Sequence, residues 1–216
     1  MINFDDNLPL FPELTLPPET DPFSHESIAC KAGYRLIAGV DEAGRGPLAG
    51  PVVAAAVIIP FGEIIEGVKD SKKMTEKTRD NAFSVINQRA IAVSIGLVSH
   101  RFIDEHNILQ ASLEAMKRAV LSLYPAPDYL LVDGIHTVPV SIHQRSIIKG
   151  DQQSLSISAA SIIAKVYRDR VMISHHEQFP EYELKKNKGY GTKMHMEAIK
   201  RYGASPIHRL TFKGVY

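Results

Sequence analysis

Four carboxylates stand at or just past the ends of short apolar runs. Asp41 and Glu42 follow Ile37-Ala38-Gly39-Val40, Asp133 follows Tyr129-Leu130-Leu131-Val132, and Asp151 follows Ser146-Ile147-Ile148-Lys149-Gly150. A single Asp-Glu pair after a strand is most often a solvated turn. Here the pattern recurs, and ligands of open α/β sheets gather outside the carboxyl ends of strands. Four acids brought to one sheet edge repel one another unless cations sit among them. The spacing therefore predicts a divalent-metal site. Hard oxygen donors without a thiolate suit Mg²⁺ or Mn²⁺ better than zinc.

The elements that must position these acids can be read around them. Leu36–Val40 is too short and too apolar for a helix and reads as a buried strand, with Asp41 at its exit. Successive strand residues face opposite ways, so Asp41 and Glu42 reach one ion only if the chain bends there. Gly44, Gly46 and Gly50 in the loop that follows make a bend easy. Val52–Ile59 reads as a second strand paired with the first, and residues 92–98 as a third. Helices are expected from Thr75 to about Gln88, over 107–123, from Ser154 to about Gln178, and over Thr192–Tyr202. Strands early and helices between and after them predict a single-domain mixed α/β sheet with helices on both faces.

With 216 residues, 44% hydrophobic and 23% charged, the chain suits one domain with a sizeable core. The net charge of +1 conceals an asymmetry. Residues 1–30 hold six acids, five prolines and no Lys or Arg, and read as a loosely attached acidic extension before a catalytic unit at 31–216. From Lys165 onward there are eleven Lys or Arg against five acids, a surplus of six. A basic region facing an acidic cluster fits a polyanion bridged between metals and lysines. Cys30 is the only cysteine, which excludes an intrachain disulfide and favours the cytosol. No secretion signal or membrane-length apolar run is visible, so the expectation is a cytoplasmic protein that makes no use of a membrane; a monomer is expected, though nothing in the sequence fixes an oligomer.

Gly39-Val40-Asp41-Glu42-Ala43-Gly44-Arg45-Gly46-Pro47-Leu48-Ala49-Gly50-Pro51, with Asp70-Ser71-Lys72-Lys73, Val132-Asp133-Gly134, Lys149-Gly150-Asp151, the run from Ser158 to Lys165, Lys188-Gly189-Tyr190-Gly191-Thr192 and His208-Arg209, resembles the type 2 ribonuclease H family. The motifs occur in the family's order and span Leu36 to about Phe212. The resemblance implies a ribonuclease H-like fold. It implies an endonuclease that cuts the RNA strand of RNA–DNA hybrids and nicks 5′ of single ribonucleotides in duplex DNA, leaving 5′-phosphate and 3′-hydroxyl ends. It further implies that Asp41, Glu42, Asp133 and Asp151 hold two Mg²⁺ or Mn²⁺ ions, an arrangement known to drive in-line displacement at phosphorus. By the same resemblance Gly44-Arg45-Gly46 contacts the ribose 2′-hydroxyl through its backbone, and Tyr190 stacks on the neighbouring sugar. Lys72, Lys165, Lys188 and Lys193 are the candidate phosphate contacts. Asn187 stands where the family has His, and no role is assigned to it. His195 and His208 lie beside motif positions as candidates for a supporting role. Asp169 is expected to pair with an arginine.

Four rival readings fail on particular residues. A phosphate-binding NTPase loop would need Lys-Ser/Thr after its glycines. An aspartyl-phosphate phosphatase would need an acid where Ala43 stands. A pure duplex binder would not set four acids beside phosphates. The related ribonuclease HIII carries an amino-terminal domain too large for thirty residues.

Overall fold

The computed structural model describes residues 21–65, 68 and 74–215. Its centre is a five-stranded sheet in the order β3-β2-β1-β4-β5. The strands are β1 (Ile37–Ala43), β2 (Val52–Ile58), β3 (Ala92–Val98), β4 (Tyr129–Asp133) and β5 (His143–Ile147). β2 runs antiparallel to both β1 and β3; β4 lies parallel to β1 and β5 parallel to β4. This is the mixed α/β sheet expected, flanked by helices on both faces. The helices are α1 (Ser24–Lys31), α2 (Glu76–Arg89), α3 (His100–Leu121), α4 (Leu155–Gln178), α5 (Leu184–Asn187) and α6 (Lys193–Tyr202).

β2 is buried along its whole length, and its three successive alanines explain how it holds helices on both sides. Ala54 and Ala56 pack with Ala38 and Val40 against Ala111, Ala115 and Ala119 of α3. Ala55 and Val57 face Ala159, Ala160 and Ile163 of α4 and Ile86 of α2. Small side chains let the helices approach closely, and two glycines take the approach to its limit. A Cβ on Gly39 of β1 would overlap the main chain of Ser156 and Ile157 in α4, and one on Gly96 of β3 would overlap the Ala115 carbonyl of α3.

Several expected boundaries move. β1 does not stop at Val40 but runs to Ala43, so Asp41 and Glu42 are strand residues paired with Ala55 and Ala54. α3 begins at His100, seven residues earlier than its periodicity suggests, because Asn107 breaks it with non-helical angles (φ 73°, ψ 167°). The Asn107 side chain caps the second segment by accepting from the Leu109 and Gln110 N–H groups. Residues 24–31, within or bordering the acidic extension, form α1. Phe23, just before this segment, and Glu26 within it are buried, and Glu26 Oε1 accepts from Ser154 Oγ (2.6 Å) and from the Ser156 N–H (3.0 Å) at the start of α4. A carboxylate there satisfies helix-start donors and complements the helix dipole. Residues 1–20 and the Asp70-Ser71-Lys72-Lys73 motif lie outside the described residues.

The contact between β1 and α4 sets where the acids stand, so it must be intolerant of added volume. Gly39→Ala is expected to destabilise the chain by about 3 kcal/mol or more, since backbone rather than a flexible side chain would have to move. Urea denaturation checks this, and an unchanged midpoint would show that the helix can retreat freely.

Candidate active site

β1 outruns its parallel partner. The last β1–β4 pair is Val40 with Val132, after which β1 keeps only β2 beside it. Asp41 therefore emerges at the carboxyl edge of the parallel strands, next to Asp133 at the end of β4. Asp41 faces α4, where it is hydrogen-bonded to Ser161, and its Oδ1 accepts from the Glu42 N–H at 2.7 Å. Glu42, one residue on, borders a hollow of about 180 Å³ on the α3 side, lined also by Leu109, Met116 and Asp133. Strand alternation is thus preserved, and the bend expected between the two acids is absent. They meet instead around the end of the sheet: Asp41, Glu42 and Asp133 all line one cleft of about 500 Å³.

Asp133 Oδ1 accepts from the Gly150 N–H at 2.7 Å, which ties β4 to the 3-10 turn Gly150–Gln152. Asp151 belongs to that turn but is buried, and it does not line the cleft. Among the described residues no three His, Cys, Asp or Glu side chains are gathered into a metal cage. Three of the four expected ligands line one cleft; the fourth sits in the turn bonded to Asp133.

Their electrostatics is that of a site short of positive charge. Burial first, then the Glu42 and Asp133 charges, raise Asp41 well above the usual carboxylate range, against the pull of Ser161 and the Glu42 N–H. Burial raises Glu42 as well, while Arg45, 3.2 Å away, draws it down. Clustered acids of this kind are destabilising in themselves. Oxygen donors converging in a cleft suit a hard divalent cation.

The wall opposite the acids is the loop from Gly44 to Pro51, shaped by two arginines that are fully buried. Arg168 of α4 donates to the carbonyls of Ala49, Pro51 and Lys188. Arg209 donates to those of Gly44, Arg45, Gly50 and Pro51. Gly44 has φ +100°, and a Cβ there would collide with the Arg168 side chain. Burial lowers the Arg209 pKa to about 9, which leaves it charged at neutral pH.

Tyr190 closes the cleft, 42% exposed, with Lys165 Nζ 5.7 Å from its ring centre. A Cβ on Gly46 would lie 3.8 Å from Tyr190 Cε1, so loop and ring face each other. Lys165 lines the cleft but is held by Asp169 at 2.8 Å. Asp169 thus pairs with a lysine at short range as well as with Arg79 at 4.0 Å. Lys188 is turned away: its Nζ donates to the Lys185 carbonyl, and its side chain is only 13% exposed. Lys193 is almost fully exposed and not a lining residue. Lys72 lies outside the described residues. Arg79 and Ser161 line the cleft without having been singled out. Asn187, given no role in the sequence reading, accepts from the Gly189 N–H and donates to the Tyr182 carbonyl, which holds the left-handed residues Lys188 and Gly189 in place.

A mixed sheet with acids at the carboxyl edge of its parallel strands, walled by a glycine loop, places the chain among the ribonuclease H-like α/β hydrolases. The ribonuclease H2 of Pyrococcus horikoshii OT3 superposes with a TM-score of 0.71 and 30% identity, over 83% of this chain and 94% of that one. The ribonuclease HII of Geobacter sulfurreducens is 56% identical over 92% of this chain and 91% of its own length. That of Geotalea daltonii is 58% identical over 85% of each. The family model for ribonuclease HII matches residues 38–215, and the chain belongs to the ribonuclease HII family, a family of ribonuclease H enzymes.

Because the folded chain raises the Asp41 pKa above its unfolded value, the folded state binds this proton more tightly than the unfolded one. The resulting stability is present in full below the unfolded value of 3.8 and is lost as pH rises through the folded value. In chelator, Asp41→Asn is therefore expected to melt higher than the wild type at about pH 8, with the gap closing toward about pH 4. Calorimetry at several pH values decides; a variant that is less stable at alkaline pH contradicts the assignment of charge repulsion to Asp41.

Proposed function

We propose that the chain is an endonuclease that hydrolyses the RNA strand of RNA–DNA hybrids and nicks on the 5′ side of single ribonucleotides in duplex DNA. The observation that carries this reading is one cleft lined at once by Asp41, Glu42 and Asp133, by the Gly44–Gly46 main chain and by Tyr190. Acids alone would repel a phosphodiester, so the site is built for a cation-bridged anion.

In this reading Asp41, Glu42 and Asp133 hold two Mg²⁺ or Mn²⁺ ions, and Asp151 joins them through the turn that already binds Asp133. When bound, the ions supply Lewis acidity at the scissile phosphate and favour products with 5′-phosphate and 3′-hydroxyl ends. Arg209 fixes the Gly44 and Arg45 carbonyls, so the loop main chain meets the duplex as a rigid edge. Glycine at positions 44 and 46 lets that edge approach a 2′-hydroxyl, the group that separates RNA from DNA. Tyr190 stacks on the adjoining sugar. Lys165 and Arg79 place positive charge where the strand passes, and Lys193 is free to meet phosphate farther out. Lys188 serves the turn carrying Tyr190. The reading is of a cytoplasmic enzyme acting on nucleic acid as a monomer; among the described residues no helix is long and apolar enough to cross a membrane.

The deciding assay offers duplex DNA with one ribonucleotide, an RNA–DNA hybrid and a nucleoside triphosphate, each with chelator, Mg²⁺ or Mn²⁺. Metal-dependent cleavage of the first two and no turnover of the third are expected. Asp133→Asn should lower kcat by roughly a thousandfold or more while the far-ultraviolet spectrum is kept, since an ion ligand is lost at the reacting phosphate; near-normal activity would remove Asp133 from the ligand set. Tyr190→Ala should lose about tenfold more on the single-ribonucleotide duplex than on the hybrid, the scale of one lost stacking contact. Equal losses would deny the ring its part in reading the junction.

A further inference from the structure

We propose that the adjacent residues His208 and Arg209 form one positioning device that sets the separation of the Gly44–Gly46 loop from Tyr190, and with it the preference for a ribonucleotide flanked by DNA. The inference rests on the roles proposed above for the loop and the ring.

The two residues reach opposite walls of the same cleft. Arg209 grips the loop through the Gly44 and Arg45 carbonyls. His208 reaches Tyr190 through His195, by hydrogen bonds whose direction can be deduced. The Ser205 N–H can only donate, and it meets His208 Nδ1 at 2.9 Å. His208 Nδ1 is therefore unprotonated and its proton sits on Nε2. That nitrogen lies 3.1 Å from His195 Nε2, which must accept. His195 then carries its proton on Nδ1 and donates to the Tyr190 carbonyl at 2.9 Å. One set of tautomers satisfies every bond, which is how histidine protons are assigned.

Both rings are buried, at 0% and 1% exposure, and Tyr182 packs on the His208 ring at 4.9 Å between centres. Burial lowers the pKa of both, that of His208 to about 4, so the relay is neutral at neutral pH. The backbone completes the frame. The Leu48 N–H donates to the Gly189 carbonyl, the Arg209 N–H to the Leu48 carbonyl, and Ala49 bridges His208. On the other side of the ring the Tyr190 N–H donates to the Asn187 carbonyl. Tyr190 is thus held at both main-chain groups, its carbonyl shared between the Thr192 N–H at 2.7 Å and His195, and of these anchors only His195 is a side chain that can be exchanged without touching the turn.

The chain contains no tryptophan, so Tyr190→Trp places a single fluorophore in the cleft. In that background His195→Leu, which fills the space but cannot donate, should shift the emission to the red and increase quenching by acrylamide. His195→Asn, whose amide can donate near the Nδ1 position, should restore the parent spectrum. With Tyr190 in place, His195→Leu should lose about tenfold more kcat/KM on the single-ribonucleotide duplex than on the hybrid, and His195→Asn should stay within about threefold of wild type, the scale of one buried hydrogen bond. A purely structural role would lower melting temperature and both activities together while leaving their ratio fixed. If Tyr190→Ala alters the ratio and His195→Leu does not, the device is overturned. If neither alters it, the role given to Tyr190 fails, and the fluorescence alone judges the relay: emission from the Tyr190→Trp indole that His195→Leu leaves unchanged refutes it.

Discussion

Two buried guanidinium groups hold this site open. An arginine taken out of water is tolerable only if its donors are nearly all satisfied. Arg168 and Arg209 achieve that against carbonyls rather than carboxylates, converging on Ala49, Gly50 and Pro51 from two directions. The consequence is directional. Carbonyls turned toward the arginines are turned away from any anion in the cleft, so the loop does not add its own oxygens to the repulsion from the acids. Glycine at position 44 follows from the same packing, since the Arg168 side chain occupies the space a Cβ would need.

The acids are placed by register rather than by a bend. β1 continues past the end of β4 on the support of β2 alone, so Asp41 and Asp133 emerge side by side while Glu42 rounds the edge from the other face. This makes the pair Asp41-Glu42 useful because its members point apart: one acid is delivered from each side of a sheet end. Burial, with repulsion from neighbouring acids, raises both against the pull of Arg45 on Glu42, a strain the fold sustains through the Gly39 contact with α4 and the many bonds of the loop. Active sites commonly carry such destabilisation, offset by packing elsewhere.

What was legible follows from how far each signal reaches along the chain. β3 could be bounded to the residue, and α4 was found to within one residue at its start, because hydrophobic period is local; Ser154, read as its first residue, is its cap. The first turns of α3 were hidden because Asn107 interrupts the periodicity that marks a helix. α1 was masked by acidity and proline, although Glu26 is acidic for a positive reason: it caps α4, 128 residues away in sequence from its partner Ser154. Asp151 was grouped with the other acids by its place after an apolar run, and the 3-10 turn that carries it has no sequence signature. Arg168, Arg209 and Arg79 act through contacts across the fold, and no pattern around them separates a buried clamp from a solvated charge.

The basic surplus of the last fifty residues illustrates that limit and narrows the reading of the substrate path. Arg168 and Arg209 are interior, and Lys188 is folded into its own turn. Lys165, Lys186 and Arg170 are each within about 3 Å of an acid. Counted as charge, they predict a polyanion-binding face; counted as partners, much of that charge is already engaged. The two views are reconciled by exposure. Pairs in water are worth about 1 kcal/mol or less, so an exposed lysine gives up its carboxylate for a phosphate at little cost. Lys193, 90% exposed and 4.0 Å from Glu197, can make that exchange freely. Lys165, 27% exposed and hydrogen-bonded to Asp169, makes it only with some loss, but it already points into the cleft. Partner exchange at the rim and fixed charge at the centre would let a nucleic-acid duplex slide before it is locked, as the salt-dependent, phosphate-led binding of polyanions allows.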